Sequence, residues 1–385
     1  MRKFFSRTII ICLPFAVLLI GDLLIGFLYE YVSPEWGKRH LEMLLSPSEK
    51  SITQTTINPY LAYSNTPHFT YQGIKQHNAN GYRNSYDTFK KKSGDEYRIL
   101  CVGGSTTYGQ GVAAPINAWP EILHNKLNEN KPKKLSGKKI VVMNGGLCWG
   151  SSAELLTHYL FKHLNYKIDL VIVHTGGNDT GPLSLNSFSM DYSHWRNIEA
   201  SGTSTLRPFE KGLIEHSNSL KLFYSIWFNQ FGYQSQNLAI STKMWNQSPI
   251  KEISRNLRTN PVSAYENNLN NLFTVIKKSK AIPIFFQFYG PSYDRLKEFN
   301  RTAYSKTINL LGDNLPLIGD ALAKGKQRLR KVAKDICDSN KIEFWEIESN
   351  EIPERLFVDQ CHLNREGQAF KARFAYTKII EFLDL

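Results

Sequence analysis

The strongest constraint on the fold of this chain is a set of five short apolar segments, separated by longer segments of helical character. Apolar runs of this length, rich in Val, Ile and Phe, are typical of strands that are buried on both faces of a parallel sheet. Strands that alternate with helices predict an α/β fold, here a three-layer α/β/α sandwich around a parallel five-stranded sheet. The five segments are 97–102, 139–146, 170–175, 282–288 and 342–347.

Capping boxes mark two of the helices. Ser151 and Ser263 are each followed three residues later by Glu, a pattern in which the two residues satisfy each other's backbone N–H groups at a helix start. Two further helices are predicted before and after the last strand. The four helices are predicted at about 151–164, 263–280, 320–339 and 365–382.

The first predicted strand ends in two glycines, Gly103 and Gly104, which are followed by Ser105. Glycine permits the tight turn that lifts a serine hydroxyl out of the sheet, so Ser105 is a candidate nucleophile. A phosphate-binding loop is not indicated, because no Lys-Ser or Lys-Thr pair follows the glycines. The alternative is an ordinary strand-to-helix turn in which Ser105 caps the helix.

Asn178 stands just after the third predicted strand, behind two glycines. Because the carboxyl ends of parallel strands lie at one edge of a sheet, we expect Ser105, the loop after Asn144 and Asn178 to converge there. An asparagine amide at that place can donate a hydrogen bond to the negative oxygen of a tetrahedral intermediate. The alternative is a turn residue, which is a common role of asparagine.

Asp359 and His362 lie three residues apart, after the last predicted strand. A serine nucleophile needs a base, and the base needs a group that fixes its tautomer and stabilises its charge. One loop can present both side chains at this spacing. A single histidine is more often a packed or surface residue, and the chain has ten. The neighbouring Asp359 and the two distant motifs favour His362 as the base.

Together these motifs resemble the SGNH hydrolases, also called the GDSL family, whose four blocks carry Ser, Gly, Asn and an Asp-x-x-His pair in this order. Ser105 matches the nucleophile, Asn178 the oxyanion residue of the third block, and Asp359 with His362 the fourth block. The resemblance covers residues 98–385. It implies a flavodoxin-like sheet and a Ser-His-Asp site that acts on ester bonds.

The chain departs from the family pattern at two places. Gly104 replaces the aspartate of the Gly-Asp-Ser motif, which is tolerable because that aspartate is not needed as the base. In the second block, strict spacing places Trp149 at the family's glycine, with Gly150 next to it. We favour the Gly150 N–H as an oxyanion donor, because glycine lets the backbone approach a ligand closely, and Trp149 stays open. The implied oxyanion hole combines the Ser105 N–H, a glycine-loop N–H and the Asn178 amide.

The amino-terminal segment 1–32 predicts a membrane anchor. Three basic residues among the first seven precede an apolar stretch at 8–28, which has the length that crosses a bilayer as a helix. The basic flank predicts a cytoplasmic amino terminus and an extracytoplasmic body, periplasmic or on the cell surface. Segment 77–83 is also similar to a membrane-anchored bacterial branch of the family. A cleaved signal peptide is the alternative, although no Ala-x-Ala-like site follows.

The formal charge of +13 at pH 7 raises the question of a nucleic-acid partner. The lysines form separate runs at 90–92, 131–139 and 324–334, and such runs are usually solvated faces, so nucleic acid is not predicted. An anionic membrane or wall polymer suits the charge better. The five cysteines have neither zinc-ligand spacing nor a disulfide framework, so no metal and no cofactor are predicted. A bridge between Cys148 and Cys361 stays open.

Two regions flank or interrupt the predicted hydrolase domain, 98–385. Residues 33–97 are rich in Asn, Thr, Pro and Tyr, and predict a stalk followed by irregular structure packed on the core. An insertion at about 181–261 holds three tryptophans, which form its own small core or line a cleft suited to sugar faces. The three are Trp195, Trp227 and Trp245.

The sequence therefore predicts a serine esterase that removes acetyl or other short acyl groups from carbohydrate or lipid esters. An O-acyltransferase that acts on envelope polysaccharide with the same triad is an alternative, because the choice of acceptor depends on how well the cleft excludes water. An alternative of another class is a catalytically silent carbohydrate-binding or scaffold protein. The retention of all four family residues argues against that alternative.

Overall fold

The structure is a computed structural model that describes residues 2–33, 41, 54–58, 60–186, 188–195, 208–231, 250–288, 290, 315–347, 351–358 and 361–384. Its contacts divide the chain into two compact units. The smaller unit comprises Met1–Ile52 and Asn197–Ile240, and the larger comprises Thr53–Arg196 and Ser241–Leu385.

The strands of the described residues are β1 (Thr55–Asn58), β2 (Ala62–Asn65), β3 (Thr70–Tyr71), β4 (Ile74–Lys75), β5 (Glu96–Gly103), β6 (Lys139–Gly146), β7 (Leu170–His174), β8 (Ile282–Phe288) and β9 (Glu343–Ile347). The helices are α1 (Arg2–Val32), α2 (Ser105–Tyr108), α3 (Trp119–Glu129), α4 (Ser152–Phe161), α5 (Thr180–Ser184), α6 (Pro208–His216), α7 (Asn218–Phe231), α8 (Ile250–Thr259), α9 (Ser263–Lys278), α10 (Leu315–Asn340) and α11 (Arg365–Asp384).

Five parallel strands form the central sheet of the larger unit, in the order β6-β5-β7-β8-β9. The first strand of this sheet in the chain, β5, lies between the second and the third, which is the flavodoxin-like order. The predicted parallel five-stranded sheet is confirmed. The strand order places the carboxyl ends of β5, β6 and β7 next to one another, where three of the predicted motifs begin.

Both faces of this sheet are buried, as the apolar runs predict. Leu100 and Val102 point to one face, in a core cluster that includes residues of α4, α8, α9 and α10. Ile99 and Cys101 point to the other face, in a cluster that includes residues of α3 and α11. Alternate side chains of one strand thus enter two different cores, because successive side chains of a strand point in opposite directions. The result is a three-layer α/β/α arrangement.

One of the two predicted capping boxes is present. The Ser151 N–H and hydroxyl both donate to Glu154 Oε2, at 2.7 and 2.6 Å, at the start of α4. At the second site the prediction is wrong, because Val262 is the N-cap residue and Ser263 is already the first residue of α9. The Ser263 hydroxyl lies 3.1 Å from Met190 Sδ and makes no cap hydrogen bond.

The described part of segment 33–97 includes two short hairpins, β1–β2 and β3–β4. The residues that follow them are not a loose surface layer, since His77, Tyr82 and Arg83 are all buried. In the insertion, Trp195 is buried in a small cluster with Leu185 and Tyr192. Trp245, another tryptophan of the predicted insertion, lies outside the described residues.

The amino-terminal helix α1 includes most of the predicted membrane anchor. Within the described part of the chain, no helix combines the length and the apolar character that a membrane span needs. The transmembrane helix over 8–28 therefore stays a prediction.

Candidate active site

Ser105 stands at the turn between β5 and α2. Gly104 is the N-cap residue of the short helix, with extended backbone angles, and Ser105 is its first helical residue. A Cβ atom at Gly103 would collide with Thr107 and with the carbonyl oxygen of His174, so only glycine fits where the chain turns. The turn leaves Ser105 half-buried at the carboxyl end of the sheet. This is the position that the sequence predicts for a nucleophile.

The structure brings His362 to Ser105. Ser105 Oγ lies 2.7 Å from His362 Nε2, which is a hydrogen-bonding distance. His362 is buried, and its segment is held by a hydrogen bond of 2.9 Å from the Val358 N–H to the His362 carbonyl. The imidazole of a neutral His362 with its proton on Nδ1 accepts the serine proton at Nε2. Asp359, the predicted orienting carboxylate, lies outside the described residues.

The Asn178 amide lies against the turn that carries Ser105. Its nitrogen Nδ2 donates to the Gly150 carbonyl at 2.9 Å, and a Cβ atom at Gly104 would lie only 2.5 Å from the same nitrogen. The amide therefore fills the space that a side chain at position 104 would need, so glycine is the residue that fits there. An amide nitrogen carries two hydrogens, and the bond to Gly150 uses one of them.

Gly150 has a different role from the predicted one. Its N–H, the predicted oxyanion donor, donates to the Leu147 carbonyl at 2.9 Å and closes a four-residue turn. The contribution of Gly150 is its carbonyl oxygen, which holds the Asn178 amide. The third residue of the turn, Trp149, has a φ of 64°, where such a turn usually has glycine. Spacing alone did not reveal how the turn would use its N–H groups.

Asp179 fixes the position of the loop that carries Asn178. Its buried carboxylate accepts hydrogen bonds from the Ser152 hydroxyl at 2.6 Å, from the Ser152 N–H at 3.1 Å and from the Thr175 hydroxyl at 3.1 Å. Burial raises the pKa of this carboxyl, and the hydrogen bonds from Ser152 oppose the shift. Asp179 thereby connects the loop of Asn178 to the start of α4. Sequence reasoning missed this role, although Asp179 directly follows Asn178.

A second polar cluster that the sequence did not reveal lies beside the nucleophile turn. His174 Nδ1 donates to the Phe286 carbonyl at 2.7 Å, so Nε2 is the acceptor nitrogen. The Thr106 hydroxyl, at 2.9 Å, and Lys371 Nζ, at 3.1 Å, both lie within hydrogen-bonding distance of this nitrogen, whose single lone pair they share. Burial lowers the pKa of His174 well below its ordinary value and that of Lys371 to about 7. The cluster joins β7, α11 and the residue after Ser105.

Arg83 holds the segment that follows α2 through hydrogen bonds to its backbone. Its buried guanidinium donates to the carbonyl oxygens of Tyr108, Gly109 and Val112, at distances of 2.7–2.8 Å. The same group lies 4.3 Å from the centre of the Tyr108 ring. His77 supports the arrangement through Nε2, which lies 3.0 Å from the Tyr108 hydroxyl. Segment 77–83 therefore fixes the chain just after α2.

The remaining predicted features of the site concern metals and disulfides. The described residues contain no group of three or more His, Cys, Asp and Glu side chains that is placed to bind a metal ion. Cys148 and Cys361 are both free thiols, so the bridge that the sequence left open is not formed. Cys361 Sγ lies 3.7 Å from the imidazole nitrogens of His362.

No family model matches this chain, and no curated protein matches it. Among solved structures, the chain is similar to a lipase/acylhydrolase from Enterococcus faecalis, at 14% identity and a TM-score of 0.40, over 74% of this chain and 96% of that chain. It is similar to a catalytic mutant of an acetylxylan esterase from Geobacillus stearothermophilus, at 14% identity and a TM-score of 0.40, over 76% and 96%. It is also similar to a GDSL-like lipase from Bacteroides thetaiotaomicron, at 13% identity and a TM-score of 0.36, over 74% and 87%.

Proposed function

We propose that the larger unit hydrolyses ester bonds, with Ser105 as the nucleophile and His362 as the base. The observation that carries this proposal is the distance of 2.7 Å between Ser105 Oγ and His362 Nε2. A hydrogen bond of this length lets the imidazole accept the hydroxyl proton while the serine oxygen attacks an ester carbonyl. The Asn178 amide, beside the turn of Ser105, is the side-chain donor for the negative charge that develops on the carbonyl oxygen.

The reaction has two steps. In the first, Ser105 Oγ bonds to the carbonyl carbon, its proton passes to His362 Nε2, and the carbonyl oxygen becomes negative. Collapse of this intermediate breaks the bond to the alcohol, which leaves with the proton from His362, and the acyl group stays on Ser105. In the second step water attacks the acyl group and gives a proton to His362, which passes it to Ser105 Oγ as the bond to the serine breaks and the acid is released. Asp359 is the group proposed to orient the imidazole.

Trp149 supports a carbohydrate ester as the substrate. Its side chain is 43% exposed and is attached to the turn whose Gly150 carbonyl holds the Asn178 amide. A backbone φ of 64° is rare for a bulky residue, and such backbone strain concentrates at functional sites. The flat indole face can pack on the apolar face of a sugar ring. We therefore place acetyl or other short acyl groups on a carbohydrate ahead of lipid esters.

The test of the function uses the full chain, p-nitrophenyl acetate and an acetylated oligosaccharide, with and without an acceptor oligosaccharide. Release of free acetate that Ser105→Ala abolishes is the result expected of an esterase. Transfer of the acetyl group to the acceptor in preference to water would identify an acyltransferase. Such an enzyme needs a cleft that excludes water, and the half-buried Ser105 gives no support for one. Oligosaccharide binding without either product would identify a silent binding protein and contradict the proposal.

The substrate class has its own test. Trp149→Ala should raise KM for the acetylated oligosaccharide by about tenfold, because an aromatic platform for a ligand is removed, and should leave p-nitrophenyl acetate hydrolysis little changed. Trp149→Phe is the matched control, because it keeps an aromatic face. Equal effects of Trp149→Ala on both esters would contradict a sugar platform.

We also propose that α1 holds the chain at a membrane, with the larger unit on the extracytoplasmic side. The basic residues before the apolar stretch 8–28 support this orientation. A reporter enzyme that works only outside the cytoplasm should be active when it is fused after the last residue. A mature protein that begins beyond residue 21 would indicate a cleaved signal peptide instead.

A further inference from the structure

Between residues 17 and 20, helix α1 of the smaller unit is apolar and exposed on every side. The four consecutive side chains of Val17, Leu18, Leu19 and Ile20 are each 57–70% exposed. One helical turn contains 3.6 residues, so these four side chains point in every direction around the helix axis. A protein partner covers one face of such a helix, whereas the hydrocarbon of a bilayer surrounds it. The pattern of exposure therefore favours lipid as the occupant.

Helix α7, from the predicted insertion, packs on one stripe of α1. Asp22 Oδ2 accepts the Asn218 N–H at 2.9 Å, and Oδ1 accepts the Ser219 N–H and the Ser217 hydroxyl at 2.8 Å each. One helix turn along, a Cβ atom at Gly26 would lie 2.6 Å from Asn218 Nδ2, so the two helices are in close contact. Asp22 thus caps the amino terminus of α7.

The two helices run side by side in the same direction. At the far end of the contact, Tyr29 Oη lies 3.3 Å from Ser225 Oγ. Tyr29 follows Asp22 by seven residues, and Ser225 follows Asn218 by seven, so both helices advance two turns between the first contact and the last. Asp22, Gly26 and Tyr29 recur at the spacing of one helix face.

The polarity of α7 is inverted relative to a helix that packs on a water-soluble core. Ser225 is fully buried and Asn218 faces α1, whereas the exposed side carries apolar residues. These residues are Leu220, Phe223, Ile226 and Trp227, with exposures of 38–67%. A helix in water buries its apolar stripe and exposes its polar stripe. Polar contacts between helices and apolar side chains outside are what a hydrocarbon solvent selects.

The Asp22 carboxylate of α1 and the first N–H groups of α7 are hydrogen-bonding partners that neither helix has within itself. A carboxylate among apolar residues of α1 is unfavourable in hydrocarbon unless it is hydrogen-bonded. The first N–H groups of α7 have no partner within their own helix. Asp22 and the start of α7 satisfy each other, so the acidic residue inside the apolar stretch of α1 marks the docking point of a second helix.

We propose that α7 lies beside the last turns of α1, where the acyl chains of a bilayer that contains anionic lipid meet the headgroups, and that the hydrogen bonds of Asp22 hold the two helices together. This inference rests on the membrane placement of α1 proposed above. The basic amino terminus and the formal charge of +13 favour anionic headgroups next to the helix pair. Helix α7 is then a lipid-contacting element of the smaller unit.

The test uses the full chain in vesicles of phosphatidylcholine and phosphatidylglycerol whose acyl chains carry bromine, a contact quencher of tryptophan fluorescence. The ratio of fluorescence in brominated to plain vesicles should be lower for the wild type than for Trp227→Phe, because Trp227 contacts the acyl chains. Trp149→Phe is the matched control, since Trp149 is exposed to almost the same extent, 43% against 45%, but belongs to the larger unit. That control should not raise the ratio.

Two variants test the hydrogen bonds of Asp22. Asp22→Leu removes the cap and should raise the fluorescence ratio to that of Trp227→Phe, whereas Asp22→Asn keeps a side-chain oxygen and should retain most of the quenching. Equal ratios for the wild type and Trp227→Phe would overturn the proposal and assign this surface to a protein partner. An unchanged ratio in Asp22→Leu would overturn the role of Asp22.

The same vesicles separate this inference from the catalytic proposal. Hydrolysis of a water-soluble ester without quenching of Trp227 refutes the lipid contact alone. Quenching without hydrolysis refutes the esterase alone.

Discussion

Ser105 and His362 are 257 positions apart in the chain, and Oγ of the first lies 2.7 Å from Nε2 of the second. Ser105 follows β5, the first strand of the central sheet in the chain, and His362 precedes α11, the last helix. No local pattern demands their contact. Such a contact between a hydroxyl and an imidazole is the arrangement that activates a serine.

Replacement of the nucleophile should remove both covalent labelling and turnover. We expect Ser105→Ala to abolish reaction with a fluorophosphonate probe and to lower kcat/KM on the order of 10³-fold or more, because the oxyanion donors and substrate binding remain. Ser93→Ala, at an exposed serine, is the control and should keep full labelling. Labelling of Ser105→Ala at the wild-type level would remove Ser105 from the site.

The amide of Asn178 should act on turnover and not on folding. Asn178→Ala is expected to lower kcat by about 10²–10³-fold, because the amide faces charge that forms only after the serine attacks. Gly104→Ala should lower kcat in the same direction, since its methyl group would displace Asn178 Nδ2. Gly94→Ala is the matched control, because a Cβ atom there meets no neighbour within 4 Å. A fall in melting temperature with unchanged turnover per folded molecule would make Asn178 a turn residue only.

The buried Lys371 should make stability depend on pH. Burial lowers its pKa in the folded chain to about 7, whereas an unfolded lysine titrates near 10.4. Below pH 7 both states carry the proton, and the cost of the buried ammonium is fully present. Between about pH 7 and 10 the unfolded state binds more protons, so the free energy of unfolding rises with pH.

Urea unfolding of the wild type and Lys371→Met at several pH values measures this effect. The difference in free energy, wild type minus variant, should become more positive from pH 7 to pH 10. A difference that is constant over this range would show that the pKa of Lys371 is not lowered in the folded protein.

Arg83 should stabilise the nucleophile segment. Arg83→Met leaves the Val112 carbonyl and Gln76 Oε1 without a buried donor, and it removes one of two donors from the Tyr108 and Gly109 carbonyls. Each buried group left unsatisfied costs about 1–3 kcal/mol, so we expect a large fall in the free energy of unfolding. Lys75→Met is the control, because the Lys75 ammonium is exposed and lies 3.9 Å from Asp87, a pair worth at most about 1 kcal/mol. Equal stability of the two variants in urea unfolding would show that the hydrogen bonds of Arg83 do not stabilise this segment.

The sequence by itself determined the central sheet and its strands. The five strands lie within a residue or two of the apolar segments, because burial on both faces of a sheet requires largely continuous apolar runs. It also predicted that the loops of Ser105 and Asn178 lie at one edge of the sheet, since the carboxyl ends of parallel strands share that edge. The box of Ser151 and Glu154 was visible because its two partners are three residues apart.

Only the tertiary structure decided how polar groups are paired. The Gly150 N–H donates to Leu147 because a turn with Trp149 at positive φ closes there, which spacing does not reveal. No sequence pattern predicts the burial of Arg83 and Lys371, and both are buried by elements distant in the chain. Asp22 finds its partners almost two hundred residues away. Hydrogen bonds of this kind depend on which segments the folded backbone brings together, and no local periodicity encodes that choice.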